Sequence, residues 1–277
     1  MNDKQFRQLL DRFGLSWRGY RRVRKGVKKR IDRHMQTLGC RSMEEYLQYL
    51  SLHPDIIHNT ELLLTVSISH FFRDRLLWDT LGKKIVPHLA GSCGDTMRVW
   101  SAGCALGQEA YSFKILWCLL ESNGMCLPAL DLRATDVNKD YLDKARCGIY
   151  PARAVRGLPA DIRSRYFTDT PDGLHCMLTD TVRHTITWEI FDLTRHVPRQ
   201  RFFHIILLRN NLLTYYSLTI RTRSLHAIID GLADGGFLII GSHETLPFTP
   251  PELVGYGHIP YIFQKVRLNQ SLERGAT

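Results

Sequence analysis

The stretch at residues 99–112, VWSAGCALGQEAYS, constrains the fold more than any other part of the chain. Val99 and Trp100 lead into small residues from Ser101 to Ala105, and Gly107 follows. Beyond it, Tyr111, Phe113, Leu116, Trp117 and Leu120 recur at helical spacing. The pattern predicts a buried strand, a tight turn and an amphipathic helix. Such a turn lets backbone approach a ligand, and the helix start offers N–H groups without intrahelical partners. In open α/β sheets, ligands bind in this crevice, at the carboxyl ends of the strands. The full GxGxxG spacing and the GKS/T of a phosphate loop are both missing, which disfavours a dinucleotide or a nucleoside triphosphate.

A second piece comes about thirty residues later. Residues 130–137 (LDLRATDV) are apolar enough for a strand ending at Asp136. Asn138 is placed to cap a following helix that carries Tyr141, Leu142 and Ala145 on one face. An acid at the end of this strand can accept hydrogen bonds from ribose hydroxyls. Together the two pieces point to a nucleoside-bearing ligand without a pyrophosphate, a description that S-adenosylmethionine fits.

The charge is concentrated. Of the formal net charge of +10, most sits in residues 18–41, where ten Lys/Arg face one acid, Asp32. Val23, Val27, Ile31, Met35 and Leu38 form a helical apolar stripe there, and Arg21, Arg22, Lys25, Lys28, Lys29 and Arg33 fall on the opposite face. Charge of one sign at this density repels itself and favours docking to an anionic partner: nucleic acid, a lipid surface or an acidic protein helix. No apolar run approaches the length of a membrane span. The N-terminus has no uninterrupted apolar core of the kind a signal peptide needs, so a cytoplasmic protein is expected. Seven scattered cysteines without a CxxC pair read as buried free thiols in a reducing compartment. Twelve histidines without metal-ligand spacing suggest no metal.

Six segments, in order, resemble the chemoreceptor glutamate methyltransferase (CheR) family. They are SISHFFRD at 67–74, the turn at 104–112, ATDVNKDYLDKARCGIY at 134–150, RYF at 165–167, FHIILLRNNLLTYY at 203–216 and GGFLIIGSHETL at 235–246. The resemblance implies an α/β fold. A Rossmann-like S-adenosylmethionine-dependent methyltransferase domain with a small β insertion would follow a small all-helical N-terminal domain. On that template the helical domain covers 1–75, with a basic docking helix at about 20–38. A linker helix covers 76–95 and the methyltransferase domain 96–268. The insertion lies at about 168–190, and a flexible tail covers 269–277.

The resemblance also assigns roles. Arg73 corresponds to an active-site arginine, and a bidentate guanidinium suits a carboxylate, either the acceptor's or that of the cofactor's methionine part. Ser67 and Ser69 stand where the family has Asn and Thr, and keep hydroxyls that could bind the cofactor. Glu109 corresponds to the acid at the cofactor's amino group, and Asp136 to the ribose ligand. Asp192 and Leu193 stand where the family has Asn-Leu near the adenine, while Arg209 and Asn210 match the Arg-Asn pair beside the cofactor. Three positions depart from the pattern: Gln108 is usually acidic, Ala110 is usually proline, and Thr214 occupies the place of a tyrosine near the transferring methyl. The implied partner is an acidic helix of a chemoreceptor or a related signalling protein, facing the basic helix.

Methyl transfer to a glutamate carboxylate would yield a glutamyl methyl ester and S-adenosylhomocysteine. A carboxylate with an ordinary value of about 4.3 is already ionised at neutral pH, so no general base is required and positioning does the work. Two alternatives compete. One is a methyltransferase acting on nucleic acid; the chain lacks an NPPY-type motif, and its basic helix lacks interleaved aromatics for stacking. The other is a degenerate module that binds the cofactor without turnover.

Overall fold

A computed structural model of the chain describes residues 1–67, 69–198 and 200–267. Its first part is helical: α1 (Asp3–Arg12), α2 (Trp17–Tyr20), α3 (Arg24–Thr37), α4 (Met43–Leu52) and α5 (Ile57–Leu64). At the start of α1 the Asn2 side chain accepts from the Gln5 N–H and the Gln5 side chain returns to the Asn2 N–H. Two orphan donors are thereby satisfied. Val27, Ile31 and Met35 on α3 pack against Phe6, Leu9, Leu10, Tyr46 and Leu50. The apolar stripe is therefore as the sequence predicts, but the basic helix begins at Arg24, and Arg21–Val23 form a turn. Tyr20 is the reason: its ring is buried against Phe6, and its hydroxyl donates to Leu64 O (2.8 Å), which bends the chain away from a continuous helix.

A linker of α6 (Arg75–Thr80), a π-helical turn (Leu81–Ile85) and α7 (Val86–Ala90) leads into the second part. There β1 (Thr96–Ala102), α8 (Gln108–Ser122), β2 (Ala129–Asp136) and α9 (Lys139–Cys147) follow in turn. Next come β3 (Ile149–Pro151), α10 (Ala160–Tyr166), β4 (Phe167–Asp169), β5 (His175–Leu178), α11 (Asp180–Arg183) and β6 (Ile186–Ile190). The chain closes with β7 (Phe203–Leu208), α12 (Leu212–Tyr215), α13 (Leu218–Asp230), β8 (Leu232–Ile240), β9 (Leu253–Tyr256) and β10 (Ile259–Lys265). Seven strands form the main sheet in the order β6-β2-β1-β7-β8-β10-β9, parallel except for β10, which runs antiparallel to β8 and β9. The strand order reverses between β1 and β7, and the ends of β1, β2 and β7 meet at that switch point, where such sheets bind ligands.

The small insertion differs from expectation. Its sheet is β3-β5-β4 and therefore begins at Ile149. Residues 186–190, expected inside it, are β6 of the main sheet, parallel to β2 with Ala134 opposite Trp188. A five-residue run carries no local sign of which sheet it joins; burial of Ile186 against the main core decides. Helix α13 stops at Asp230, and Asp234-Gly235-Gly236 lie within β8, where Gly235 takes φ +77° at a register irregularity. All seven cysteines are free, but only Cys104 and Cys176 are buried; Cys126 and Cys147 are exposed. The apolar demand of the core is met by larger residues, so thiols need not be inside. The tail at 269–277 lies outside the described residues. Among the described residues no helix is long and apolar enough to cross a membrane, and no His/Cys/Asp/Glu group could hold a metal.

Candidate functional site

A cleft of about 1000 Å³, including its open mouth, lies at the switch point. The turn after β1 forms its floor. Gly103 (φ +76°) would drive a Cβ into the Asn211 side-chain amide, which donates to the Ala102 and Gly103 carbonyls. Gly107 (φ +85°) would place a Cβ 2.7 Å from the Trp188 ring, so only glycine lets α8 start this close to the sheet. Asp136 ends β2 and accepts from the Ala105 N–H (Oδ2, 2.9 Å) and the Asn138 N–H (Oδ1, 2.9 Å). Each oxygen keeps a further lone pair, and burial raises the carboxyl above its ordinary value against those hydrogen bonds. Phe191 and Leu193 add apolar wall beyond β6.

At the other end of the cleft, Glu109 accepts from Ser101 Oγ (2.8 Å) and Arg209 Nη1 (3.0 Å). Burial raises Glu109, and Arg209 and Ser101 act against that rise. Arg209, whose side chain is only 3% exposed, also pairs with Asp74 and donates to Arg73 O (3.2 Å). Arg73 itself sits between Phe72 (φ +49°) and Asp74 (φ +67°), two non-glycine residues in the left-handed region. Such strain costs of order 1–3 kcal/mol per residue and persists only where surroundings enforce it. Here they do so through three bonds: Phe72 N–H to Ser112 Oγ (2.8 Å), Trp78 Nε1 to Arg73 O (2.8 Å), and the Arg209 contact. The turn holds Arg73 in the cleft wall.

The helical part closes the cleft. Ser16 N–H donates to Tyr215 O (2.7 Å) and Ser217 N–H to Gly14 O (2.8 Å), an antiparallel bridge between the two parts. A Cβ at Gly19 would overlap the Thr214 carbonyl, so glycine is needed for this close approach. Tyr20, Thr65, Val66 and His70 thereby become wall residues.

Of the residues expected at a cofactor site, Ser69, Arg73, Glu109, Asp136, Asp192, Leu193, Arg209 and Asn210 all line this cleft. Ser67 is not in the lining; its Oγ is buried without a hydrogen-bond partner among the described residues. Asp192 folds back on its own turn, accepting from Thr194 N–H and Oγ1 and pairing with Arg195 (3.3 Å). Arg209 is engaged as a clamp on Glu109 and Asp74. Residues that sequence reasoning missed include Tyr20, Thr65, Tyr141 and Asn211 in the lining, and Glu244 behind it. Glu244 accepts from the Asn210 N–H (2.9 Å), the Gly241 N–H (2.7 Å) and Thr214 Oγ1 (2.5 Å). An acid shortly after a buried strand was the available signal.

A nucleoside fits the donor set: an acid with open lone pairs at the β2 end, apolar wall beside it, and a floor no side chain may enter. The model of the CheR methyltransferase S-adenosylmethionine-binding domain matches residues 67–255, most of this chain. The chain belongs to the CheR methyltransferase family. S-adenosylmethionine is the cofactor of that domain. "Chemotaxis protein methyltransferase 1" of Vibrio cholerae is 31% identical over 66% of this chain and 66% of its own length. "Chemotaxis protein methyltransferase Cher2" of Pseudomonas putida is 27% identical over 81% and 83%. An uncharacterized 104.1 kDa protein of Rhodobacter capsulatus is 28% identical over 79% of this chain but only 23% of that protein. The chain thus spans under a quarter of one relative and just under two thirds of the Vibrio one.

Two departures from the CheR pattern acquire a physical reading. Thr214 is absent from the cleft lining because its hydroxyl turns to Glu244, while Tyr215 and Tyr216, one and two residues on, do line the cleft. Burial and the neighbouring Glu244 raise the Tyr215 phenol, and Arg73 acts in the opposite direction. Gln108 is buried with its Oε1 unpartnered among the described residues. On the basic face Arg21, Arg22, Lys25, Lys29 and Arg33 are exposed. Lys28 is not equivalent: its ammonium pairs with Asp3 and lies 5.7 Å from the Phe6 ring centroid, bracing α3 on α1.

Proposed function

We propose that this protein transfers the methyl group of S-adenosylmethionine to glutamate side-chain carboxylates on an acidic helix of a chemoreceptor-like protein, forming glutamyl methyl esters. The observation that carries the reading is Arg73, held by a strained, triply bonded turn in the wall of the cleft that ends at Asp136. The names of the Vibrio and Pseudomonas relatives support the acceptor class.

When bound, S-adenosylmethionine supplies a methyl group on a cationic sulfur, which an ionised carboxylate oxygen takes in one in-line displacement. The protein's part is positioning. Asp136 would accept the ribose hydroxyls, with Phe191 and Leu193 beside the base. Glu109, itself held by Ser101 and Arg209, would attract the amino group. Arg73, in the cleft wall, would orient a carboxylate with its planar guanidinium. No side chain has to take a proton, because the acceptor is ionised already. The exposed cations Arg21, Arg22, Lys25, Lys29 and Arg33 favour an acidic surface over a neutral one.

The test uses methyl-labelled cofactor and bacterial membranes bearing chemoreceptors. Protein-bound label should leave as methanol in mild alkali, as ester methyl does. Arg73→Ala should lower turnover about a hundredfold, the scale for losing one preorganised charge-stabilising donor. Arg73→Lys should recover little of it. Alkali-stable label would indicate another acceptor, and cofactor binding without transfer would indicate a binding module; either refutes the reading.

A further inference from the structure

Arg30 belongs to the basic segment, yet it does not share the docking face. Its Nε donates to Leu63 O (2.9 Å) and its Nη2 to Thr65 O (2.6 Å). Between them Leu64 O accepts from the Tyr20 hydroxyl (2.8 Å). Three successive carbonyls at the end of α5 are thus held by side chains of α2 and α3. Helix-terminal carbonyls lack intrahelical partners and form the negative end of the helix dipole, so a cation is favoured there. The guanidinium fork can serve two of them at once, which an ammonium on a flexible stem cannot do in fixed geometry.

The chain leaving α5 forms part of the cleft wall. Thr65 and Val66 line it, then Ser69, His70 and Arg73. The Thr65 hydroxyl lies 2.6 Å from Leu62 O and 3.2 Å from the Tyr141 hydroxyl, and Tyr141 lines the cleft from α9, just after Asp136. A continuous set of contacts therefore runs from α3 through Thr65 to the Asp136 side of the cleft.

We propose that Arg30 is a positioning residue for the cofactor cleft: from the docking helix it fixes the exit of α5, and with it the wall that contacts S-adenosylmethionine. This rests on the cleft being the cofactor site, and not on the nature of the acceptor. Cofactor affinity should then depend on Arg30 in the absence of any receptor.

The experiment measures S-adenosylmethionine binding by calorimetry and amide hydrogen exchange in the full chain without receptor. Arg30→Met should weaken binding at least about tenfold and speed exchange in the segment after α5, with ligand absent. Arg30→Lys, which keeps the charge and loses the fork, should fall between Arg30→Met and the wild type. Arg18→Met, which removes an exposed cation from α2, should match the wild type in both readouts. The KM for receptor at saturating cofactor should stay within about twofold in Arg30→Met. Unchanged cofactor affinity in folded Arg30→Met, or a receptor KM that rises alone, would overturn the proposal and make Arg30 a docking cation. If Arg30→Met does not fold, full affinity and unchanged exchange in Arg30→Lys overturn it instead. A wild type that binds cofactor but transfers no methyl would refute the acceptor reading and leave this proposal standing on the binding data.

Discussion

Replacing Arg209 with methionine should be among the most damaging single changes in the molecule. The guanidinium is almost completely enclosed, and its partners are the carboxylates of Glu109 and Asp74 and the carbonyl of Arg73. Methionine keeps the apolar stem but leaves the Glu109 and Asp74 carboxylates without their shared cation, Glu109 with its side chain only 13% exposed. Removing one partner of a buried charge cluster costs about 3–5 kcal/mol, because the remaining charge loses both its pairing and its hydration. In a chain of this size that corresponds to a fall in Tm of roughly 10 °C. Glu109 gives the effect a pH signature. Burial already raises its carboxyl, and Arg209 pulls the value down. Without Arg209 the value rises further, so the folded variant binds a proton at a pH where the unfolded chain does not. Stability of the variant should therefore increase as pH falls through that raised value, and the gap to wild type should narrow as the pH is lowered. Adding Glu109→Gln should restore part of the loss by removing the unpaired charge. Urea denaturation at several pH values would measure all of this. A loss below about 1 kcal/mol, or one independent of pH, would refute the argument that Arg209 is the electrostatic keystone of the Arg73 turn.

Asp136→Ala should weaken S-adenosylmethionine binding by about 1.5–3 kcal/mol for each ribose hydrogen bond lost to the charged acceptor, read by calorimetry. Since burial raises Asp136, wild-type affinity should decline as pH falls through a midpoint above the ordinary aspartate value of about 3.9; a lower midpoint would contradict the assignment. Changing Arg21, Lys25, Lys29 and Arg33 to glutamate should raise the receptor KM steeply while calorimetry finds normal cofactor binding. Wild-type activity on receptor should also fall with added salt, because exposed charges are screened over about 10 Å at 0.1 M; activity insensitive to salt would reduce the helix to a solvated face.

Local chemistry made part of this protein legible from its residues alone. The run from Val99 to the Gly107 turn and α8 reads as strand, turn and helix because hydrophobic period and glycine are short-range signals. Asp136 with the Asn138 cap is local in the same sense, as is the stripe Val27, Ile31, Met35 that buries α3. Charge density marked the basic face for the same reason. Tertiary structure decided everything that depends on residues distant in sequence. Burial and pairing with β2 placed 186–190 in the main sheet. Glu244, thirty residues further on, turned Thr214 away from the cleft, while Tyr215 came to line it. Asp3 drew Lys28 out of the exposed basic face, and the carbonyls of Leu63 and Thr65, more than thirty residues away, took the Arg30 guanidinium, which its own helix does not announce. A side chain's periodicity says which way it faces on its own element; only the packing of other elements says what stands there to meet it.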